Sequence, residues 1–403
     1  MAEKSAQANS EDINISNGDV INGYEVLEKI DEGNFGQVFK VKLGKKRYAM
    51  KVEPNPSDES QPALQFEMEI VLDLQRNGVN YSPKFVSGGK EPKFYMLVME
   101  LLGENLKKLR QKSSTSSPST WGRVGIQCLY VIKEMHDIGY VHRDLKPGNF
   151  ALGPVDNGLN SRVLFVLDFG ISQKFIRKRN GEVEFKSTNK TSKSLKGTPI
   201  YASLNAHARA ELGRCDDLSS LLYMMAEFVK PLPWETIEDL EDISKSKASQ
   251  KLKDLFKNDA FDAVETMIKN CTAFSFPDYE LVYTAFRGVF EKSGGQWIDP
   301  YDWESAQNPV YKRWRELAEK QKFAWESHDD MLNFLRKDPF DSLKNRDRTM
   351  TTTMKDDTRK KKAKKSKSKK KSDTAGEPMP SSDDLQVVRK FSKIMKSKTK
   401  VTK

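Results

Sequence analysis

The stretch from Tyr24 to Val52, YEVLEKIDEGNFGQVFKVKLGKKRYAMKV, alternates apolar and polar side chains and is interrupted at Gly44-Lys45-Lys46. Side chains on a strand point alternately to opposite faces, so period two marks a half-buried antiparallel sheet and excludes an amphipathic helix. The pattern predicts two hairpins that share three strands.

The periodicity then changes. Over 62–76, Leu64, Met68, Val71 and Leu72 form one stripe and Gln65, Glu69, Asp73 and Arg76 another, which predicts a helix with Glu67 on its apolar side. KFYMLVMELL (93–102) is expected to be a buried strand, and the Ser-rich SSTSSPST (113–120) a turn ahead of the helix WGRVGIQCLYVIKEMHDIG. Beyond Val141 come short strands and loops, then helices, of which DDLSSLLYMMAEFV (216–229) is the most apolar. A β-rich first part and a helical second part predict an α+β fold of two unequal lobes with a cleft between them.

Composition suits a soluble globular chain, with 37% hydrophobic and 31% charged residues among 403. The net charge of +11 does not describe a basic domain: RKKKAKKSKSKKK (359–371) holds ten Lys and Arg and no acid, so the remainder is close to neutral. From about residue 340 the chain is polar and low in complexity, and cannot bury enough surface to offset its ordering entropy. Cys128, Cys215 and Cys271 are odd in number and far apart. No disulfide framework or metal site is expected of them, and a reducing compartment is the default. The N-terminus lacks an apolar core, and no apolar run approaches the roughly 18 residues of a spanning helix.

The chemistry is concentrated in two short runs. VHRDLKPGNF (141–150) contains Arg143, Asp144, Lys146 and Asn149, and LDFG (167–170) supplies Asp168. Phosphoryl transfer requires two reactants to be positioned and a polyanionic nucleotide to be neutralised. Asp144 would orient the substrate hydroxyl and take its proton, Lys146 would steady the transferred group, and Asn149 and Asp168 would hold Mg2+ through hard oxygens. Lys51, at a strand end, would reach the phosphates of ATP, and Glu67 would pair with it. In KIDEGNFGQV (29–38), Gly33 and Gly36 fall where backbone N–H groups would approach phosphates, while Asp31 occupies the first glycine position and its charge opposes the nucleotide.

In these motifs the chain resembles eukaryotic protein kinases, and within them the casein kinase 1 group, over about 24–304. HRDLKPGNF and DFG carry the general likeness; GTPIYASLNAH (197–207), RCDDLSSLLYMMAEFVKPLPWE (214–235) and FSFPDY (274–279) carry that of the group. DPYDWE (299–304) looks like the end of a tau-tubulin kinase domain, and the resemblance is to that branch, as a divergent member of an expanded lineage such as the nematode one. The resemblance implies a bilobal kinase transferring the γ-phosphate of Mg-ATP to serine or threonine. It implies Met99 as gatekeeper, Glu100, Leu101 and Leu102 as hinge, and Ile30, Val38 and Ala49 around the adenine. It also implies that Asp217 braces the catalytic loop, although the residues alone equally suit a helix N-cap.

Relatives in that group favour primed substrates through a basic pocket that includes an arginine where this chain has Ile200. Arg143 and Lys193 remain as anion contacts, so weaker dependence on priming is expected. The expected organisation is an unstructured segment 1–22, a kinase domain 23–297 (N-lobe 23–99, hinge 100–103, C-lobe 104–297), a helical extension 298–340 and a disordered Lys-rich tail 341–403 with a short amphipathic helix at 385–398. Expected partners are Ser/Thr protein substrates, tubulin or other cytoskeletal proteins among them, with the tail meeting acidic partners. A cytoplasmic monomer is expected, with the tail as a route to the nucleus. The alternative is a pseudokinase scaffold, resting on Asp31 and Ile200.

Overall fold

The computed structural model describes residues 13–343, except 34–35, 57–60, 114–115, 156–157, 180–181, 187–191, 324 and 342. The Lys-rich tail beyond residue 343, including the helix expected at 385–398, lies outside the described residues.

The N-terminal lobe is an antiparallel sheet of β1 (Val20–Ile21), β2 (Tyr24–Gly33), β3 (Gly36–Leu43), β4 (Lys46–Pro54), β5 (Phe85–Lys90) and β6 (Phe94–Glu100), in the order β1-β2-β3-β4-β6-β5. Strands β2 to β4 are the two hairpins that the alternation predicts, and Tyr24, Val26, Phe39, Val41, Met50 and Val52 supply their buried face. Helix α1 (Ala63–Arg76) packs on the sheet through Leu64 and Met68, against Leu97 and Met99, and gives Ile70, Val71 and Leu74 to the C-lobe core, with Glu67 also buried. Its first turn lacks a cap of its own; Glu53, at the end of β4, accepts from the amides of Ala63 and Leu64 instead. A carboxylate there satisfies orphan N–H groups and faces the positive end of the helix dipole.

The C-terminal lobe contains α2 (Leu106–Gln111), α3 (Pro118–Asp137), β7 (Tyr140–Val141), β8 (Phe150–Leu152), β9 (Leu164–Val166), β10 (Gln173–Lys174), β11 (Ile176–Arg179) and β12 (Glu182–Phe185). Helices α4 (Leu204–His207), α5 (Arg214–Val229), α6 (Leu240–Ser249), α7 (Leu252–Phe256), α8 (Ala260–Asn270) and α9 (Tyr279–Lys292) follow, and then α10 (Pro309–Ala318) and α11 (His328–Arg336). The core lies around α3, α5 and α9, where Leu129, Leu218, Leu221, Met224, Tyr283 and Phe286 are fully buried. Each such side chain contributes about 1.5–3 kcal/mol of transfer free energy. The segment after residue 298 folds back on this lobe: Arg162 forms a two-pronged ion pair with Glu304 and lies 4.0 Å over the Trp314 ring and 4.5 Å over Tyr301.

Three sequence expectations require correction. Residues 13–22, expected to be unstructured, belong to the N-lobe: β1 pairs with β2, and Ile13, Ile15 and Ile21 pack on its core, apolar positions that the surrounding polar residues obscure. The Ser-rich turn ends early, because Ser117 caps α3 through the amide of Thr120 and Pro118 takes the first helical position, where its missing N–H costs nothing. Cys215 and Cys271 form a disulfide with a Cα–Cα distance of 6.4 Å, tying the start of α5 to the residue after α8. A separation of 56 residues carries no pairing signal in sequence; only the fold of the C-lobe brings the two together.

On α3, Glu134 faces the turn after α1, beside Tyr81 and Tyr130. Its Oε2 is buried without a partner among the described residues, and burial pushes the carboxyl up to about 7. The folded state thus holds a proton that the unfolded chain releases above about pH 4.3. Stability is therefore expected to fall as pH rises from that value to about 7. Glu134→Gln should remove the slope, raising the melting temperature more at pH 8 than at pH 5; equal changes at both would show that the carboxyl is ionised throughout.

Candidate active site

The cleft between the lobes, about 2250 Å³, is lined above by Ile30, Gly33, Gly36, Val38 and Ala49, behind by Met99, Glu100 and Leu102, and below by Leu152. Ala49 sits opposite Met99 where β4 pairs with β6, so two side chains expected around an adenine are set by one strand register. The volume exceeds that of a nucleotide site because the cleft continues past Asp144 to Thr198 and Ile200. Gly36 has φ +114°, and a Cβ there would stand 1.9 Å from the Val52 carbonyl oxygen, so the turn over the cleft admits only glycine at this position. Asp31 is exposed on β2, and its carboxylate accepts from the Glu32 amide at 2.9 Å.

At the back of the cleft Lys51 Nζ lies 2.6 Å from Glu67 Oε2 and 2.9 Å from Asp168 Oδ1. Burial works against the ammonium, but the two carboxylates outweigh it and hold Lys51 above the usual lysine range. Burial likewise opposes the charge on Asp168, and Lys51 overcomes it, keeping that carboxyl below its ordinary value. Glu67 also accepts from the Phe169 amide at 3.3 Å, so α1 holds both the lysine and the DFG turn.

Across the cleft, Asp144 Oδ1 accepts from the Thr198 amide at 2.7 Å and its hydroxyl at 2.8 Å, while Lys146 Nζ lies 2.8 Å from Oδ2. Asn149 donates its side-chain amide to the Asp144 carbonyl at 2.8 Å. That bond leaves the Asn149 amide oxygen, with the second oxygen of Asp168, as the hard donors that would hold a cation. The described residues hold no cluster of three or more His, Cys, Asp or Glu that would suit a metal. A pair of oxygen donors fits Mg2+, which keeps several waters and completes its shell with substrate phosphates.

Asp217 accepts from the backbone amides of His142 at 2.6 Å and Arg143 at 2.8 Å, and from His136 Nε2 at 2.9 Å. It is a brace and not a cap: α5 starts after Gly213, whose amide bonds to Asp216. Burial opposes its charge, and the His136 bond with the backbone donors holds the carboxyl below its ordinary range. Burial lowers the basicity of His136, so the neutral ring donates from Nε2 to Asp217, and Nδ1 accepts from Tyr279 at 2.7 Å.

The two expected anion contacts are not brought together. Arg143 spends its guanidinium on the Ile171 carbonyl at 2.7 Å and on Gln173 Oε1, so it is a positioning residue and not a free anion contact. Lys193 is exposed in the loop before Gly197. Sequence reasoning missed Thr198, His136 and Lys247. The first stands in the quoted GTPIYASLNAH run; the other two carry no local signal, because partners 81 and 45 residues away decide their roles. Lys247 donates to the carbonyls of Pro199 at 2.7 Å and Ala202 at 2.6 Å, and burial pushes its ammonium down to about 7.

Residues 24–276 match the sequence profile described as protein kinase domain. The chain belongs to the protein kinase family. Its kinase domain has serine/threonine kinase relatives. A Caenorhabditis elegans protein described as a serine/threonine-protein kinase is 33% identical over 287 residues, 70% of this chain and 82% of the relative. A Dictyostelium discoideum protein of the same description is 32% identical over 306 residues, 74% of this chain and 60% of the relative. A second C. elegans protein, described as a casein kinase I, is 29% identical over 316 residues, 75% of this chain and 90% of the relative.

Thr198→Val keeps the backbone amide and removes the hydroxyl that holds Asp144. A hydrogen bond to a charged group contributes about 1.5–3 kcal/mol, so kcat is expected to fall roughly 10- to 100-fold. The ATP KM should stay within about twofold, since Thr198 bonds to Asp144 and Lys146 rather than to the adenine or Lys51 side of the cleft. Steady-state kinetics with ATP and peptide varied separately would check both; an unchanged kcat would mean that the amide alone positions Asp144.

Proposed function

We propose that the chain is an active serine/threonine protein kinase of the casein kinase 1 type, transferring the γ-phosphate of Mg-ATP to protein substrates with little dependence on a preplaced phosphate. The observation that carries this reading is the completeness of the site: Lys51, Glu67 and Asp168 form one ion cluster, while Asp144, Lys146, Asn149 and Thr198 form one hydrogen-bonded group across the cleft.

In this reading the substrate hydroxyl approaches Asp144, whose carboxylate is fixed at one oxygen by Thr198 and accepts the proton as the oxygen attacks phosphorus. Lys146, bridging Asp144 and Thr198, offsets charge gathering on the transferred group. Bound Mg2+, held by Asn149 and Asp168, would supply charge neutralisation for the phosphates. Lys51 stays protonated throughout, because its two carboxylates raise its basicity. The scaffold alternative draws on Asp31, which lines the mouth of the cleft but is exposed, its carboxylate accepting from the Glu32 amide, so water screens its charge.

The weak requirement for priming is supported by the substrate loop. Ile200 replaces a cation, and Lys247 beneath the loop is occupied by backbone carbonyls. We also propose the cytoskeletal substrates, tubulin among them, and a cytoplasmic setting; their support is the likeness of DPYDWE to the tau-tubulin kinase branch.

Incorporation of radioactive phosphate into casein and tubulin, compared between the parental chain and Asp144→Asn, tests the transfer. Loss of at least about 100-fold is expected in the variant; equal incorporation by the two would overturn the enzyme reading. A peptide pair differing by one upstream phosphoserine tests priming separately. The ratio of kcat/KM should stay below about tenfold, and a stronger preference for the primed peptide would refute that part.

A further inference from the structure

The segment that follows LDFG (167–170), here called the activation segment, begins as a built structure. Gln173 and Lys174 pair with Val141 and Tyr140, Phe175 donates its amide to the Gly139 carbonyl at 2.9 Å, and β11 pairs with β12 from Ile176↔Phe185 to Arg179↔Glu182. The inner face of this hairpin is apolar. Ile176, Val183 and Phe185 pack with buried Val141 and Phe175, and the cluster is completed by Phe340 and Leu343, residues near the end of the described chain. The Phe340 ring meets Phe175 edge-on at a centroid distance of 5.5 Å.

The segment carrying Phe340 is anchored on the C-lobe. Asp338 pairs with Arg214 at 3.3 Å, and the Lys337 carbonyl accepts from Lys133 at 2.9 Å. Arg214 bonds as well to the carbonyls of Ser275 and Phe274, and lies 5.0 Å over the Phe175 ring. Turn bonds from Asp341 to Asp338 and from Leu343 to Phe340 fold the segment so that both apolar side chains face the hairpin. Arg143, beside Asp144, is meanwhile held by neutral acceptors: Gln173, two residues before Phe175, and the Ile171 carbonyl each take one of its donors.

We propose that the segment carrying Asp338, Phe340 and Leu343 is an intramolecular strap that positions the activation segment. The strap holds Phe175 and the β11–β12 hairpin against β7. The residues just before them, Ile171 and Gln173, then stay on Arg143, and the run around Asp144 keeps its observed geometry. Phe340 and Leu343 are positioning residues of the phosphotransfer, and for that part the proposal rests on the kinase reading above.

The test uses the full-length chain with Phe340→Ala and Phe340→Leu. In Phe340→Ala, kcat/KM for a peptide substrate should fall about tenfold while the ATP KM stays within about twofold. Hydrogen exchange at residues 173–179 and 182–186 should accelerate while α9 keeps its protection. Phe340→Leu, which refills most of the volume, should restore both. Unchanged exchange in the hairpin would overturn the strap, as would a loss of protection shared equally by α9 that leucine does not rescue. Absence of transfer by the parental chain would count against the kinase reading, and the exchange comparison would still decide whether the strap holds the hairpin.

Discussion

The ion cluster of Lys51, Glu67 and Asp168 joins three parts of the chain that share no backbone hydrogen-bond ladder: β4, α1 and the turn after β9. Its worth is not chiefly in stability, since desolvating one cation and two carboxylates absorbs most of their attraction. What it supplies is specificity. Moving α1 away from the sheet would strip Glu67 from a buried ammonium and from the Phe169 amide together, and breaking a buried pair in that way costs about 3–5 kcal/mol. The arrangement of sheet, helix and the Asp168 carboxylate is therefore defined as one unit, with the cleft as its consequence.

The catalytic loop depends on a second buried charge. Arg143 and Asp168 have φ of +70° and +63°, values that cost an ordinary side chain about 1–3 kcal/mol each unless neighbours impose them. His142 connects the two. Asp217 holds its amide and that of Arg143, while its ring nitrogen bonds to the Leu167 carbonyl at 2.9 Å, one residue before Asp168. Both strained residues are thus fixed through one histidine and one aspartate, which explains why Asp217 is fully buried and still ionised.

Much of this was legible in sequence where the signal is local. Period two gave the hairpins, helical spacing placed Glu67 inward, and the short runs at 141–150 and 167–170 contain the residues that now line the cleft. What escaped is what distant partners decide. The same lysine code specifies Lys51 in an ion cluster, Lys247 under a loop of carbonyls and Lys133 bonded to a carbonyl 204 residues away. Arg143 looked like an anion contact because nothing within its own run reveals that Ile171 and Gln173 return to it.

The same logic bears on substrate choice. A phosphate arriving beside Ile200 would meet Lys196 on the cleft wall, while Arg143 holds Ile171 and Gln173, Lys245 holds Glu241 and Asp242, and Lys247 holds Pro199 and Ala202. Releasing Lys247 would also orphan two carbonyls of the loop that must receive the peptide, so its capture by a ligand would loosen the surface that the ligand needs. Lys193 stands in solvent, where an ion pair is worth about 0–1 kcal/mol, against about 1.5–3 kcal/mol for a charge-assisted bond in a sheltered pocket. Arg143 and Lys247 are used to hold the protein's own oxygens, and it is on that use of them that the proposal of weak priming rests.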